Sequence, residues 1–184
     1  MRINFDTARD VLLAFPTLGD DIETAPDDRD PLAFTRALLS SETPEDCLSF
    51  FAYLAPRREA VWWCCRCLEA LGQKDHGGAM QAAMDWVRMP ENDQRRRALD
   101  HAEASNDTEA STWAAFAAGW SGGNISDENS PPVLAAPQLT AKAVRASVLI
   151  AVSRAPFNER RGRLERCLDE AMNVANDDAE KHFG

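Results

Sequence analysis

Arg57-Arg58-Glu59-Ala60-Val61-Trp62-Trp63-Cys64-Cys65-Arg66-Cys67-Leu68-Glu69-Ala70-Leu71 is the most apolar and aromatic stretch of the chain, and Pro56 stands just before it. At about 100° per residue, Val61, Cys64, Cys65, Leu68 and Leu71 fall on one helical stripe. Trp63, Cys67 and Ala70 widen that stripe past half the circumference. A helix apolar over so wide an arc needs neighbours on several sides, which places it at the centre of the fold. The narrow remaining arc holds Arg58, Glu59, Arg66 and Glu69. Trp62 falls among these charges, against the pattern. Either a neighbouring helix or the loop 124–139 covers it, with the arginines over its ring, or it is an exposed anchor for a partner. In the second case Trp62, Arg58, Arg66 and Glu69 form the partner-binding patch.

Caps and breakers cut the rest of the chain into helices around this one. Asp6 is placed to cap 7–15, whose Ala8, Val11, Leu12 and Phe15 form an amphipathic stripe ended by Pro16. Residues 17–29 are acidic, carry Gly19 and Pro26, and read as a surface loop. Asp30 before Pro31 pairs an N-cap with proline at the first helical position and opens 31–39. Thr43-Pro44-Glu45-Asp46 approximates a capping box for a helix through Leu54. Beyond the central helix, Gly72 is a natural C-cap. Residues 79–89 set Met80, Ala83, Met84 and Val87 on one face. In 91–104, Glu91/Arg95, Asp93/Arg97 and Arg96/Asp100 have ion-pair spacing, so Arg95-Arg96-Arg97 is read as a solvated, neutralised face.

Asn106-Asp107-Thr108 is a cap for 109–121, where Trp113, Phe116, Ala117 and Trp120 are expected to face the core and Gly122-Gly123 to stop the helix. Residues 124–139 make the longest loop, expected to be held extended on the surface by Val133 and Leu134. Thr140 is the expected cap of 141–154, and 158–175 carries Leu164, Cys167, Leu168, Ala171 and Ala175 in a stripe. No sustained alternation marks a strand. The expectation is an all-α fold of about eight helices in a single domain over 1–175, with a flexible tail at 176–184.

At 184 residues the chain is long enough for one sizeable core, and its 45% hydrophobic and 27% charged residues are ordinary for a globular protein. The net charge of −10 argues against nonspecific binding to nucleic acid or anionic membrane. Acidic residues are concentrated in the N-terminal third, 1–56; from Arg57 onward acids and bases nearly balance. No apolar run approaches a membrane span, and no basic leader precedes the first helix, so the expected location is the cytoplasm. Five cysteines, three of them within one helical turn, do not suggest a secreted disulfide framework.

Cys64 and Cys67 form a C-x-x-C, but in mid-helix rather than at the helix N-terminus where the dipole activates a thiol. Zinc would need Cys47, Cys167, His76 or His101 to complete the site, and no second closely spaced pair exists. Buried thiols acting as small hydrophobes is the simpler reading. The histidines lie apart, no phosphate or dinucleotide loop is present, and nothing assembles a nucleophile, a base and an orienting group. No catalytic residue, cofactor or metal is expected. The alternative is a small metal- or thiol-dependent enzyme built on Cys64 and Cys67.

Three pieces, Pro56-Arg-Arg-Glu-Ala-Val-Trp-Trp63, the segment from Trp113 to Trp120-Ser-Gly-Gly123, and Leu139-Thr-Ala-Lys-Ala-Val144, resemble an uncharacterised all-helical bacterial family often found among type VI secretion genes. The resemblance spans 56–174 and leaves the acidic third uncovered. It carries over no catalytic residue. It implies a cytosolic accessory, adaptor or immunity-type interaction protein, and the acidic third suits a basic protein partner.

Overall fold

The computed structural model describes residues 1–75, 77–105, 108–126, 130–177 and 179–183, with Glu180 and Lys181 described by backbone alone. His76 and the Asn106-Asp107 part of the expected cap lie outside the described residues. The chain is all-α: α1 (Ala8–Ala14), α2 (Pro31–Leu38), α3 (Asp46–Leu54), α4 (Arg57–Ala70), α5 (Ala79–Arg88), α6 (Asn92–Ala104), α7 (Ala110–Gly119), α8 (Leu139–Ser153), α9 (Phe157–Asn176) and α10 (Ala179–Phe183). A 3-10 turn, Pro16–Asp20, follows α1. Among the described residues, β structure is limited to one antiparallel bridge, Asn124 to Leu134. No helix of the described residues is long and apolar enough to cross a membrane.

Local chemistry sets the helix ends, with some shifts from the sequence reading. Thr7, not Asp6, caps α1: its hydroxyl and the Asp10 carboxylate form a reciprocal capping box. Asp30 caps α2 through the amide of Ala33, with Pro31 at the first position. The central α4 closes as expected. Gly72 takes φ 65°, and the amides of Gly72 and Gln73 reach back to the carbonyls of Glu69 and Leu68. Thr140 is not a cap. It lies inside α8, buried, and its hydroxyl donates to the Trp120 carbonyl at 3.3 Å.

α4 is buried almost all round, as its wide apolar arc requires. The Phe51 ring of α3 meets Trp63 edge-on at 4.8 Å. The Trp63 indole N–H donates to the Cys167 carbonyl of α9 at 2.9 Å. The Cys64 thiol donates to Ser147 of α8, whose hydroxyl donates in turn to the Ala110 carbonyl at the start of α7.

Three further expectations fail. The core face of α7 is not its aromatic stripe. Ala114, Ala115, Ala117 and Ala118 are buried, while Trp113, Phe116 and Trp120 are half-buried and cluster at centroid distances of 4.7–6.2 Å. α7 packs against α4, α5, α6 and α8, leaving room only for small side chains. A Cβ on Gly119 would stand 2.8 Å from the Leu99 Cβ and 2.9 Å from its Cα. The bulky rings therefore take the one arc left open.

Arg95 is the second departure. Of the three expected ion pairs in α6, Arg96–Asp100 forms, at 3.7 Å. Arg95 turns inward, only 6% exposed, and donates to the carbonyls of Gly119 at 2.8 Å and Asn124 at 3.1 Å and to Asn92 Oδ1. Burial, then the neighbouring Arg96, lowers its pKa from the usual arginine value. Third, Val133 and Leu134 do not pin the long loop: they are 53% and 75% exposed. Backbone bonds hold it, Ile125 N to Val133 O at 2.8 Å and Ala135 N to Gly123 O at 3.0 Å. The Asn124 carboxamide oxygen adds bonds from the amides of Ser126 and Val133.

Gly119→Ala should destabilise the fold by about 1–3 kcal/mol through overpacking against Leu99, although alanine is the better helix former. Urea unfolding monitored by circular dichroism reads the loss; a stabilised mutant would contradict the close approach of α6 and α7.

Candidate functional site

The three sequence pieces that carry the family resemblance come together at one end of the bundle. Pro56, held at φ −55° and ψ 152°, turns the chain from α3 into α4 and puts Arg57 at the first helical position with its side chain outward. The Arg57 guanidinium donates to the carbonyls of Ser121 at 2.8 Å and Pro137 at 3.5 Å. Thr140 closes the triangle through its bond to the Trp120 carbonyl. One arginine thus joins the start of α4, the end of α7 and the approach to α8.

Beside this junction lies an open apolar cleft of about 140 Å³, walled by Phe5, Phe15, Tyr53, Pro56, Pro137 and Ala141. The rings meet edge-to-face along one side, Phe5 to Phe15 at 6.4 Å and Phe15 to Tyr53 at 5.7 Å. Small-molecule sites usually run about 300–1,000 Å³. This cleft suits a single apolar side chain.

A charged network stands behind the cleft. The Tyr53 hydroxyl donates to Asp21, which also receives Lys142 Nζ at 3.0 Å and pairs with Arg145 at 3.5 Å. Arg145 reaches Ser49 at 3.0 Å and the Asp21 carbonyl at 3.2 Å. Burial alone would raise the Asp21 pKa; hydrogen bonds from Tyr53 and Lys142 and the charges of Arg145 and Lys142 outweigh it and leave the carboxyl below its ordinary value. Burial, then the Asp21 hydrogen bond, pushes the Tyr53 phenol above its usual range. Tyr53 therefore remains a protonated donor at neutral pH. The network fastens the acidic loop to α8 with its groups already satisfying one another, an arrangement suited to holding a surface in shape. Sequence reasoning missed it, because Asp21, Tyr53, Lys142 and Arg145 sit on three separated segments with no shared spacing. The Lys142 motif was the one visible signal.

Three of the four residues of the alternative partner-binding patch, Trp62, Arg58 and Arg66, are engaged within the chain. Trp62 is 3% exposed, covered by the C-terminal helix α10: its ring lies 5.0 Å from His182 and 5.2 Å from Phe183. The stretch read as a frayed tail supplies the cover, where the sequence suggested a neighbouring helix or the loop 124–139. The arginines do not lie over the ring. Arg58 donates to the carbonyls of Val87 at 2.7 Å and Arg88 at 3.3 Å, closing the end of α5. Arg66 grips Glu170 of α9 at 2.9 Å through two nitrogens. Glu69 is exposed. An exposed Trp62 anchor is thus corrected to an intramolecular packing residue, because α10 fills the space a partner would need.

All five cysteines are free and buried. Burial pushes the Cys47 and Cys64 thiols up to about 12, and Cys65 and Cys67 well above the ordinary thiol range. Neutral, water-excluded thiols are poor nucleophiles and poor metal ligands. Among the described residues, no group of three or more His, Cys, Asp or Glu side chains is placed to hold a metal ion.

The model of the family of unknown function DUF6931 matches residues 34–175, and the chain belongs to that family. The match begins upstream of Pro56, where the motif resemblance starts, and so takes in the end of α2, from Phe34, and all of α3. No curated protein and no solved structure matches the chain.

Two measurements check this geometry. Trp62→Ala should destabilise the protein by about 3–5 kcal/mol, the usual loss for a large buried aromatic, in thermal or urea unfolding. An unchanged midpoint would mean that α10 does not cover the ring in solution. The thiols should label slowly in native protein at neutral pH. Their native pKa values lie above those of the unfolded chain, so their contribution to stability is complete below pH ~8.5 and declines as pH rises toward 12. A stability that rises across that alkaline window would contradict their burial.

Proposed function

We propose that this chain is a non-enzymatic protein-interaction component, an accessory, adaptor or immunity-type protein linked to type VI secretion and acting in the cytoplasm. It takes an apolar side chain of its partner into the cleft between Phe5, Tyr53, Pro56 and Pro137. The observation that carries this reading is the convergence at Arg57 of three motifs far apart in sequence on one open apolar cleft. Core packing does not need such an opening, whereas a binding site does.

The partner is a basic protein. Exposed carboxylates of the N-terminal third, including Asp6, Asp20 and Glu23, suit a positively charged neighbour. The secretion context rests on the motif resemblance. The thiol-dependent alternative loses its chemical basis with Cys64 and Cys67 sealed in the core.

Ala141→Leu should fill the cleft without removing a hydrogen bond. Pulldown from native cytosol with mass-spectrometric identification should recover a basic partner with the wild type and lose it with the mutant, while circular dichroism stays unchanged. Identical capture by both proteins would refute the cleft as the docking site.

A further inference from the structure

Phe157, at the start of α9, is 86% exposed, the most exposed large apolar side chain among the described residues. It opens a run, Phe157-Asn-Glu-Arg-Arg-Gly-Arg-Leu-Glu-Arg166, with four arginines and two glutamates in a protein of net charge −10. Residues 156–162 are all exposed, so the first turns of α9 stand out from the bundle as a ridge. Leu164, 2% exposed, is the first residue of the run in the core.

Two features of this ridge work against folding. Gly162 sits inside an exposed helix with nothing within 4 Å of where a Cβ would be, so no close contact requires glycine. Phe157 exposes its ring and packs little, with the Arg160 guanidinium 6.0 Å from its centroid. The charges are also only partly used. Arg161 pairs with Glu165 at 2.9 Å, whereas Arg160, Arg163 and Arg166 have no carboxylate within ion-pair distance among the described residues. Their guanidinium groups donate to the carbonyls of Ala155, Ala151 and Gly162. The Arg163 Nε is buried without an acceptor. A groove of about 330 Å³ runs alongside, lined by Pro44, Glu45, Phe157, Arg160, Arg161 and Leu164.

We infer that the Phe157–Arg166 ridge of α9 is a docking surface for an acidic segment of a second protein partner. The segment's carboxylates meet Arg160 and Arg161, which line the groove with Phe157, and an apolar side chain packs on the Phe157 ring. Charge complementarity selects the occupant. The ridge is the basic counterpart of an otherwise acidic protein, and the chain's overall charge repels nucleic acid and anionic lipid, which approach as extended polyanions. Glu45 and Glu159 face the same groove or flank it, so the fit requires spaced carboxylates rather than a dense anionic sheet. The ridge stands apart from the Arg57 cleft, and Ala141→Leu should leave it intact.

The test uses the full chain and a fluorescein-labelled peptide of alternating glutamate and leucine, read by fluorescence anisotropy. The wild type should bind it saturably, with affinity falling as salt rises. Arg160→Glu with Arg161→Glu should weaken binding about tenfold or more, the order expected when close charge pairs are lost. Phe157→Ser alone should weaken it without altering the salt dependence. Arg2→Glu with Arg97→Glu makes the same charge change elsewhere and should leave binding within about twofold of wild type. The inference is overturned by absence of saturable binding, by equal weakening in both charge-reversal variants, or by tighter binding of oligothymidylate or phosphatidylglycerol vesicles than of the peptide.

Discussion

The fold depends on the burial of one helix on every side. α4 carries Val61, Trp62, Trp63, Cys64, Cys65, Cys67 and Leu68, all at most 3% exposed, and each large apolar side chain so buried contributes about 1.5–3 kcal/mol. No single neighbour can cover such a cylinder. α3 and α9 take the Trp63 side, α8 takes Cys64, and α10 takes Trp62. The polar atoms of α4 are satisfied where these neighbours touch it. The Trp63 indole and the Cys64 thiol each find an oxygen inside the core, which removes the penalty of an unpaired buried donor, about 1–3 kcal/mol. Even Arg58 and Arg66, on the arc that looked solvated, lock α5 and α9 in place.

The acidic third is attached to this core by its own carboxylates. Asp46, 5% exposed, accepts the amides of Glu23 and Thr24 and the Thr43 hydroxyl, fixing the loop before α2 to the start of α3. Asp21 ties the same loop to α8 through Lys142 and Arg145. Both work because a carboxylate accepts several hydrogen bonds at once. Two of the acids that give this region its charge are therefore internal fasteners, and the surface presented to a partner is made by the others. The same loop leaves Phe15 and Tyr53 against the cleft, so the tether and the candidate site share their geometry.

The sequence made the helical class and most helix boundaries legible, because periodicity and caps are local signals. Leu164, Cys167, Leu168 and Ala171 face inward as their spacing indicates, and Gly72 closes α4 as its position indicates. It misled where a long-range contact reversed a local preference. In α7 hydrophobicity pointed to Trp113 and Trp120 as core, whereas the limiting quantity was space, and the alanines and Gly119 fit where the rings do not. Arg95 had a plausible ion pair one turn away and turned instead to the carbonyls of Gly119 and Asn124, which α6 could reach only after α7 had docked. Of the candidate site, the motifs were visible as separate pieces. Their meeting through Arg57 was not, since no spacing rule links positions 57, 121 and 137.

Two aromatic features among the described residues differ in cause, and the difference separates packing from function. Trp113, Phe116 and Trp120 are half-exposed because small residues must occupy the buried arc of α7. The rings then cover one another at 4.7–6.2 Å, so their position is explained by the fold alone. Phe157 has no such explanation. No crowded helix expels it, and its ring stands exposed with the Arg160 guanidinium 6.0 Å from its centroid. Natural sequences usually agree with their fold at every level, and where several local choices disagree at one place the reason is generally a demand from outside the fold. That criterion sets aside the more conspicuous tryptophan cluster and singles out the arginine ridge of α9.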